Sequence, residues 1–271
     1  GGHAVGYAEA GEGPLVIFAH CSLGHSGLWK GVMSALAPEW RCVALDLPGH
    51  GKSDRGDQSI SLQDQASDDV AAAAARFGDG AAHVVGLSLG GAVMARTAAR
   101  RPNVARSATL IEPIMMQLLS DDPSYTRPEG DDVMRPVVLA CRDERYEDAA
   151  AAFMDGWGQA GQFAKMPADA QASIGRAMRW VYEDFGMAHD WIPGQVSREE
   201  IAAIACPVRL MQGETTRPSA KSVVKSVAAL IPGAEAREIA NAGHLSPVTH
   251  PRQVAEEIAA FLAQTEAAQA A

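Results

Sequence analysis

The sequence predicts an α/β fold: a mostly parallel central sheet with helices on both faces and a helical cap inserted between two of the strands. Three observations predict it. Short apolar runs alternate with helical stretches up to residue 112, the alternation resumes from residue 207, and the stretch between shows helical patterns without an evident strand. Parallel strands covered by helices on both sides are buried on both faces, so they read as unbroken apolar runs. A chain of 271 residues is within the range of one such architecture and buries about three quarters of its unfolded surface.

The strands are expected at Leu15–Ala19, Cys42–Leu45, His83–Leu87, Ala108–Ile111 and Val208–Gln212, with a further strand-like segment at Ala236–Ile239. Between them the helical period places helices at Trp29–Leu36, Asp64–Phe77, Leu89–Arg100, Ala220–Leu230 and Pro251–Gln264, several of them followed by Pro or Gly. The alanine-rich end after the last helix is expected to fray. The domain reading is therefore a core of residues 1–112 and 207–271 with a cap of residues 113–206, whose start is marked by the breaker Asp121-Asp122-Pro123-Ser124. The cap holds three of the five tryptophans, Trp157, Trp180 and Trp191, with Tyr146, Phe153, Tyr182, Phe185, Met154, Met178 and Met187. These side chains either line an apolar pocket or pack the cap helices, and helical spacing alone is compatible with both.

Composition narrows the function classes. Apolar residues make up 47% of the chain and charged residues 21%, and no apolar run is long enough for a bilayer. The formal charge is −10 without a basic cluster, so neither nucleic acid nor an anionic membrane surface is an expected partner. A small neutral or apolar molecule fits better, and assembly into a homo-oligomer is left open. Cys21, Cys42, Cys141 and Cys206 are far apart and form no C-x-x-C pair, which reads as free thiols in a reducing compartment. The segment Gly1-Gly2-His3-Ala4-Val5 has neither a basic region nor an apolar core of a secretory signal, and the expected location is cytoplasmic.

The strongest chemical signal is His83-Val84-Val85-Gly86-Leu87-Ser88-Leu89-Gly90-Gly91. An apolar strand runs into G-x-S-x-G and then into a helix-compatible segment, the context in which such a serine is presented on a sharp turn above a sheet. Side chains at Gly86 and Gly90 would collide across that turn. A serine hydroxyl is a poor nucleophile at neutral pH and needs a base oriented by an acid. His244, in Asn241-Ala242-Gly243-His244-Leu245-Ser246-Pro247, is the expected base. His3, His50 and His83 read as structural, and so do His250, which precedes Pro251 at a helix start, and His25 and His189, although these last two are also placed to line a pocket.

With these residues in order, the chain resembles the α/β-hydrolase superfamily over essentially its full length. Phe18-Ala19-His20-Cys21-Ser22-Leu23-Gly24 is similar to the family's oxyanion loop, and Leu45-Asp46-Leu47-Pro48-Gly49-His50-Gly51-Lys52-Ser53 to its D-x-x-G-x-G-x-S loop. The resemblance implies an oxyanion hole made by the backbone N–H groups of Ser22 and Leu89. Cys21 stands where the family usually has glycine, and Ser88 already occupies the nucleophile position. The common acid position, G-x-x-D, reads here Gly213-Glu214-Thr215-Thr216 and lacks the aspartate. Some relatives, haloalkane dehalogenases among them, carry the acid one strand earlier, which points to Glu112, 24 residues after Ser88, with Glu214 as the alternative. A Ser88–His244–Glu112 triad implies hydrolysis of an ester, lactone or thioester with a small apolar or aromatic acyl group, without cofactor or metal. Carbon–carbon bond hydrolysis, cofactor-free haloperoxidase chemistry, acyl transfer and a non-hydrolytic ligand receptor remain alternatives on the same residues.

Overall fold

The computed structural model describes residues 2–119, 131–158, 160–185 and 196–270, the side chains of 183–185 excepted. Seven strands form one sheet: β1 (Tyr7–Ala10), β2 (Leu15–Ala19), β3 (Arg41–Leu45), β4 (Ala82–Leu87), β5 (Ala105–Ile111), β6 (Val208–Gly213) and β7 (Glu235–Ile239). Their spatial order is β1-β3-β2-β4-β5-β6-β7, and only β1 runs antiparallel to its neighbour. The chain starts at one edge with β1, steps inward to β2, turns back to place β3 between the two, and then adds β4 to β7 in order toward the other edge.

The five expected core strands are present. β1 was not expected: its sequence Tyr-Ala-Glu-Ala is short and only half-buried, so it lacks the apolar run that marks its neighbours. It extends the sheet by pairing Tyr7–Ala10 with Leu45–Cys42. At the opposite edge β7 is exposed at Glu235, Ala236, Arg237 and Glu238 and buried only at Ile239. Both edges are therefore short and charged.

Helices cover the two faces. α1 (Lys30–Leu36) follows a 3₁₀ turn at Ser26–Trp29, which takes the first residue of the expected helix. The 3₁₀ turn, α1 and α10 (Pro251–Ala270) supply Trp29, Val32, Met33, Leu36, Val254 and Ile258 to one core layer, against Val16, Phe18, Cys42, Ala44, Val85, Leu87, Ile111 and Met211 of the sheet. The alternate strand residues Ile17, Val43, Val84 and Leu110 are just as buried, as alternation across a pleated sheet requires. Around them run α2 (Leu62–Phe77) and α3 (Leu89–Arg100), which pack on each other, with α3 against β4 and β5. The buried Arg96 of α3 ties the two helices by donating to Asp64 Oδ1 at 2.7 Å. α10 does not fray at Gln264 but continues to Ala270; the Glu266 carboxylate meets His83 Nε2 at 3.1 Å and Thr265 donates to Phe261 O.

The chain divides into two compact units, Gly1–Leu118 with Val196–Ala271, and Leu119–Gln195. This division falls inside the expected 113–206 cap: Pro113–Leu118 and Val196–Cys206 go with the sheet. The latter segment holds α7 (Arg198–Ala202), opened by a Ser197/Glu200 capping box and fixed to α3 by Arg100–Glu200. The second unit contains α4 (Met134–Arg142), α5 (Tyr146–Trp157) and α6 (Ala168–Phe185), and no strand among its described residues. Met178 is fully buried there, Phe153 and Trp157 stack at 6.4 Å, and Trp157 Nε1 donates to Met134 Sδ. The breaker at 121–124, Met187, His189 and Trp191 lie outside the described residues. Among the described residues no helix is long and apolar enough to cross a membrane.

Candidate active site

The parallel register sets the site. Ala19 pairs with Gly86, Leu87 with Ile111, Ile111 with Met211, and Gly213 with Ile239, so β2, β4, β5, β6 and β7 end at one level. The residues that follow these strands are His20–Gly24, Ser88, Glu112, Glu214–Thr216 and Asn241–His244. They gather at the carboxyl edge of the sheet, where open α/β sheets bind ligands.

Ser88 sits between β4 and α3 with φ 55°, a left-handed conformation that costs a non-glycine residue about 1–2 kcal/mol. Its N–H donates to Ile111 O at 2.9 Å and its carbonyl accepts from Ile114 and Ala92, so the strained turn is held from both sides. The flanking glycines are steric necessities. A Cβ on Gly86 would lie 2.1 Å from Gly90 O, and one on Gly90 would lie 2.1 Å from Ala19 O.

The His20–Gly24 loop is tied to this turn by Gly90 N–H donating to His20 O at 3.0 Å. Leu89 opens α3, so its N–H is one of the helix's unsatisfied first donors. Among the described residues neither the Ser22 nor the Leu89 N–H has an acceptor, and the buried Ser22 hydroxyl also lacks a partner. His20 shapes the loop: its Nδ1 lies 2.7 Å from Cys21 O, and its Nε2 accepts from Leu47 N–H at 2.9 Å. Those two partners require the neutral tautomer with the proton on Nδ1. Burial, with the neighbouring His50, pushes the His20 pKa down to about 3. The Cys21 thiol is pushed up to about 12 by burial, which keeps it protonated and unreactive at neutral pH. None of the four cysteines is in a disulfide.

The Asp46 loop acts as a clasp. Asp46 accepts from Ser26 N–H at 2.6 Å and Lys52 N–H at 2.9 Å, and Ser53 Oγ donates to Asp46 O. Gly51, at φ 54°, lies so close that a Cβ there would meet the Asp46 carboxylate at 2.4 Å. The motif that resembled a family signature is thus a structural tie between β3 and the start of the first helix.

Glu112 and His244 are brought together directly, His244 Nδ1 lying 2.6 Å from Glu112 Oε2. Glu112 also accepts from Gly213 N–H at 2.8 Å through Oε1 and from the Thr216 hydroxyl at 2.6 Å through Oε2. It is 2% exposed and has φ 43°, a second strained residue one strand over from Ser88. Burial pushes its carboxyl up, but the His244 hydrogen bond and charge, with the Gly213 and Thr216 donors, outweigh burial and hold it below the usual carboxylate range. An ionised carboxylate only accepts, so His244 carries its proton on Nδ1, and the lone pair of the neutral ring is on Nε2. Glu214 is exposed and its carboxylate accepts from Asn241 N–H at 2.7 Å, which orders the loop carrying His244. Thr216 was noted in the sequence only as a missing aspartate; its hydroxyl bond to Glu112 had no sequence signal. The other described histidines have structural partners: His83 with Ser107 and Glu266, His50 with Pro48 O, His250 with Thr249, His3 with Asp69, and His25 with Gly27 N–H. A groove within the helical unit, lined by Glu144, Arg145, Glu147, Asp148, Arg176 and Arg179, carries both charge signs and contains none of these residues.

A family model described as the alpha/beta hydrolase family matches residues 16–257. The chain belongs to the alpha/beta hydrolase family. This α/β hydrolase is 31% identical over 164 residues to the 2-(acetamidomethylene)succinate hydrolase of Mesorhizobium japonicum, covering 60% of this chain and 53% of that protein. It spans about half the length of the first curated relatives it matches. It is also 27% identical over 263 residues to the pimeloyl-(acyl-carrier protein) methyl ester esterase of Xanthomonas campestris pv. campestris, covering 93% of this chain and 96% of that one. The enol-lactonase structure from Burkholderia xenovorans superposes on this α/β hydrolase with a TM-score of 0.74 at 21% identity, over 97% of both chains, a likeness of fold.

Proposed function

We propose that this chain is a serine hydrolase acting on a carboxylic ester, lactone or thioester of an apolar or aromatic acyl group, through Ser88, His244 and Glu112. The observation that carries this reading is the 2.6 Å Glu112–His244 pair, set at the same sheet edge as the strained Ser88 turn. The related proteins bearing hydrolase and esterase names support the reaction class, and the chain's charge of −10 without a basic cluster favours a neutral substrate.

In this reading the Ser88 hydroxyl attacks the acyl carbon as His244 Nε2 takes its proton. Charge moving to the carbonyl oxygen is met by the Ser22 and Leu89 N–H groups. Ionised Glu112 stabilises the imidazolium and keeps its Nδ1 proton in place. Collapse of the tetrahedral species breaks the bond to the leaving oxygen or sulfur, which takes the proton from His244 and departs. Water then attacks the acyl-enzyme by the same steps, its proton passing through His244 back to Ser88 Oγ.

A panel of p-nitrophenyl esters and lactones of increasing acyl length, with Ser88→Ala as control, tests it. Turnover that disappears in Ser88→Ala is expected. Rates that are flat across the panel and survive the substitution refute it, and folded protein that a fluorophosphonate probe does not label argues for a binding role.

A further inference from the structure

The carboxylate of Glu112 leaves its strand in a left-handed backbone conformation, deeply buried, and reaches His244 with a single oxygen, Oε2. That same oxygen takes the Thr216 hydroxyl at 2.6 Å, while Oε1 takes Gly213 N–H at 2.8 Å. Thr216 and Gly213 belong to one turn after β6, closed by Thr216 N–H donating to Gly213 O and tied to the His244 loop by Thr215 N–H and Oγ1, both donating to Ala242 O. Three donors thus fix the carboxyl plane, and the only one a side-chain substitution can remove without touching His244 is the Thr216 hydroxyl. A buried carboxylate that loses a donor loses a hydrogen bond to a charged group, which is worth more than a neutral one.

Resting on the proposed triad, we infer that Thr216 is a positioning residue for the reaction: its hydroxyl aims Glu112 Oε2 at His244 and holds Glu112 in the ionised form. Glu214 and Arg217 flank Thr216 in sequence, with the Glu214 carboxylate engaged by Asn241 N–H. Lys221 on the first turn of the following helix, α8 (Pro218–Leu230), donates to Glu214 O and Glu238. Ser88, bonded to Ile111 O and Ile114 N–H, and the segment Pro113–Leu118 that follows Glu112 bring no titratable group.

Loss of the hydroxyl makes Glu112 easier to protonate, so the acid limb of the kcat/KM profile moves to higher pH. Thr216→Val, of equal shape but without the donor, is expected to lower kcat by roughly tenfold with KM little changed and to raise the acid limb. Thr216→Ser restores the hydroxyl and is expected to recover most of the loss. Thr216→Asp puts a second carboxylate against the first and raises the limb further than Val does. A Val variant with wild-type kcat and pH profile overturns the inference, and so does a Ser variant as impaired as Val while thermally as stable as wild type. Should the chain hydrolyse none of the esters or lactones, the proposed function fails, yet carbon NMR of the Glu112 carboxyl still decides this point. Its titration is expected at higher pH in Thr216→Val than in wild type, and an unchanged titration refutes the role.

Discussion

Replacing Glu112 by Gln preserves the size of the side chain and offers His244 Nδ1 either a carbonyl oxygen or a competing N–H donor. Loss of the charge and of the enforced tautomer is expected to lower kcat by about 10²- to 10⁴-fold. Glu214→Gln, at an exposed carboxylate that meets only a backbone amide of the neighbouring loop, is expected to stay within a few-fold of wild type. Steady-state rates of the two variants on one ester compare the candidates directly, and equal losses would remove Glu112 from the triad. At this scale Ser88 was legible because G-x-S-x-G marks a local turn, and His244 because it follows a late strand. Glu112 was reached only by similarity, since the sequence shows nothing of the 132 residues that separate it from its partner. Thr216 was read as an absence because a donor to a distant carboxylate has no local pattern.

Between elements, α3 comes very close to the end of β2. Gly90→Ala would drive a methyl into Ala19 O, and neither backbone can yield without losing the Gly90–His20 bond. A loss of at least about 3 kcal/mol is expected, read as a fall in the urea midpoint or as absence of folded protein. Gly233→Ala is the control: it has φ 77° with nothing within 4 Å, so only the left-handed penalty of about 1 kcal/mol applies. Equal midpoints for the two would contradict the close packing. The buried strands and their helices were readable because each is an uninterrupted apolar run or a clear helical period. β1 escaped notice because it is stabilised by pairing with β3 rather than by its own apolar residues. The persistence of α10 to Ala270 depends on contacts such as Glu266–His83, which join residues 183 positions apart.

For the whole molecule, the buried histidines set a pH dependence. Burial, first of all, pushes His20 to about 3 and His50 to about 4, against 6.5 in the unfolded chain. Between those values the unfolded state binds the extra protons, so stability rises with pH and is lost as pH falls from about 6.5 toward 4, at roughly 1.4 kcal/mol per pH unit for each group. Urea midpoints at pH 7 and pH 5 are expected to differ accordingly, and His50→Gln to show a shallower slope; a midpoint independent of pH would refute the linkage. The extent of the second compact unit was the least legible large-scale feature. Residues 113–118 and 196–206 look like the rest of the insertion in composition, and only packing against the sheet assigns them to it.

The exposed Glu235, Arg237 and Glu238 on β7 also bear on how these molecules meet one another. A parallel sheet with a bare outer strand is a template on which a neighbour can add its own strand, and repeated addition makes fibres. Here a neighbour docking along that strand would have to bury charges of both signs without their present partners, Arg209, Gln212 and Lys221. This charged edge is therefore expected to resist strand addition in crowded solutions of this protein. Neutralising the strand with Arg237→Val and Glu238→Val should surface first as rising light scatter on concentration, before any change in catalysis.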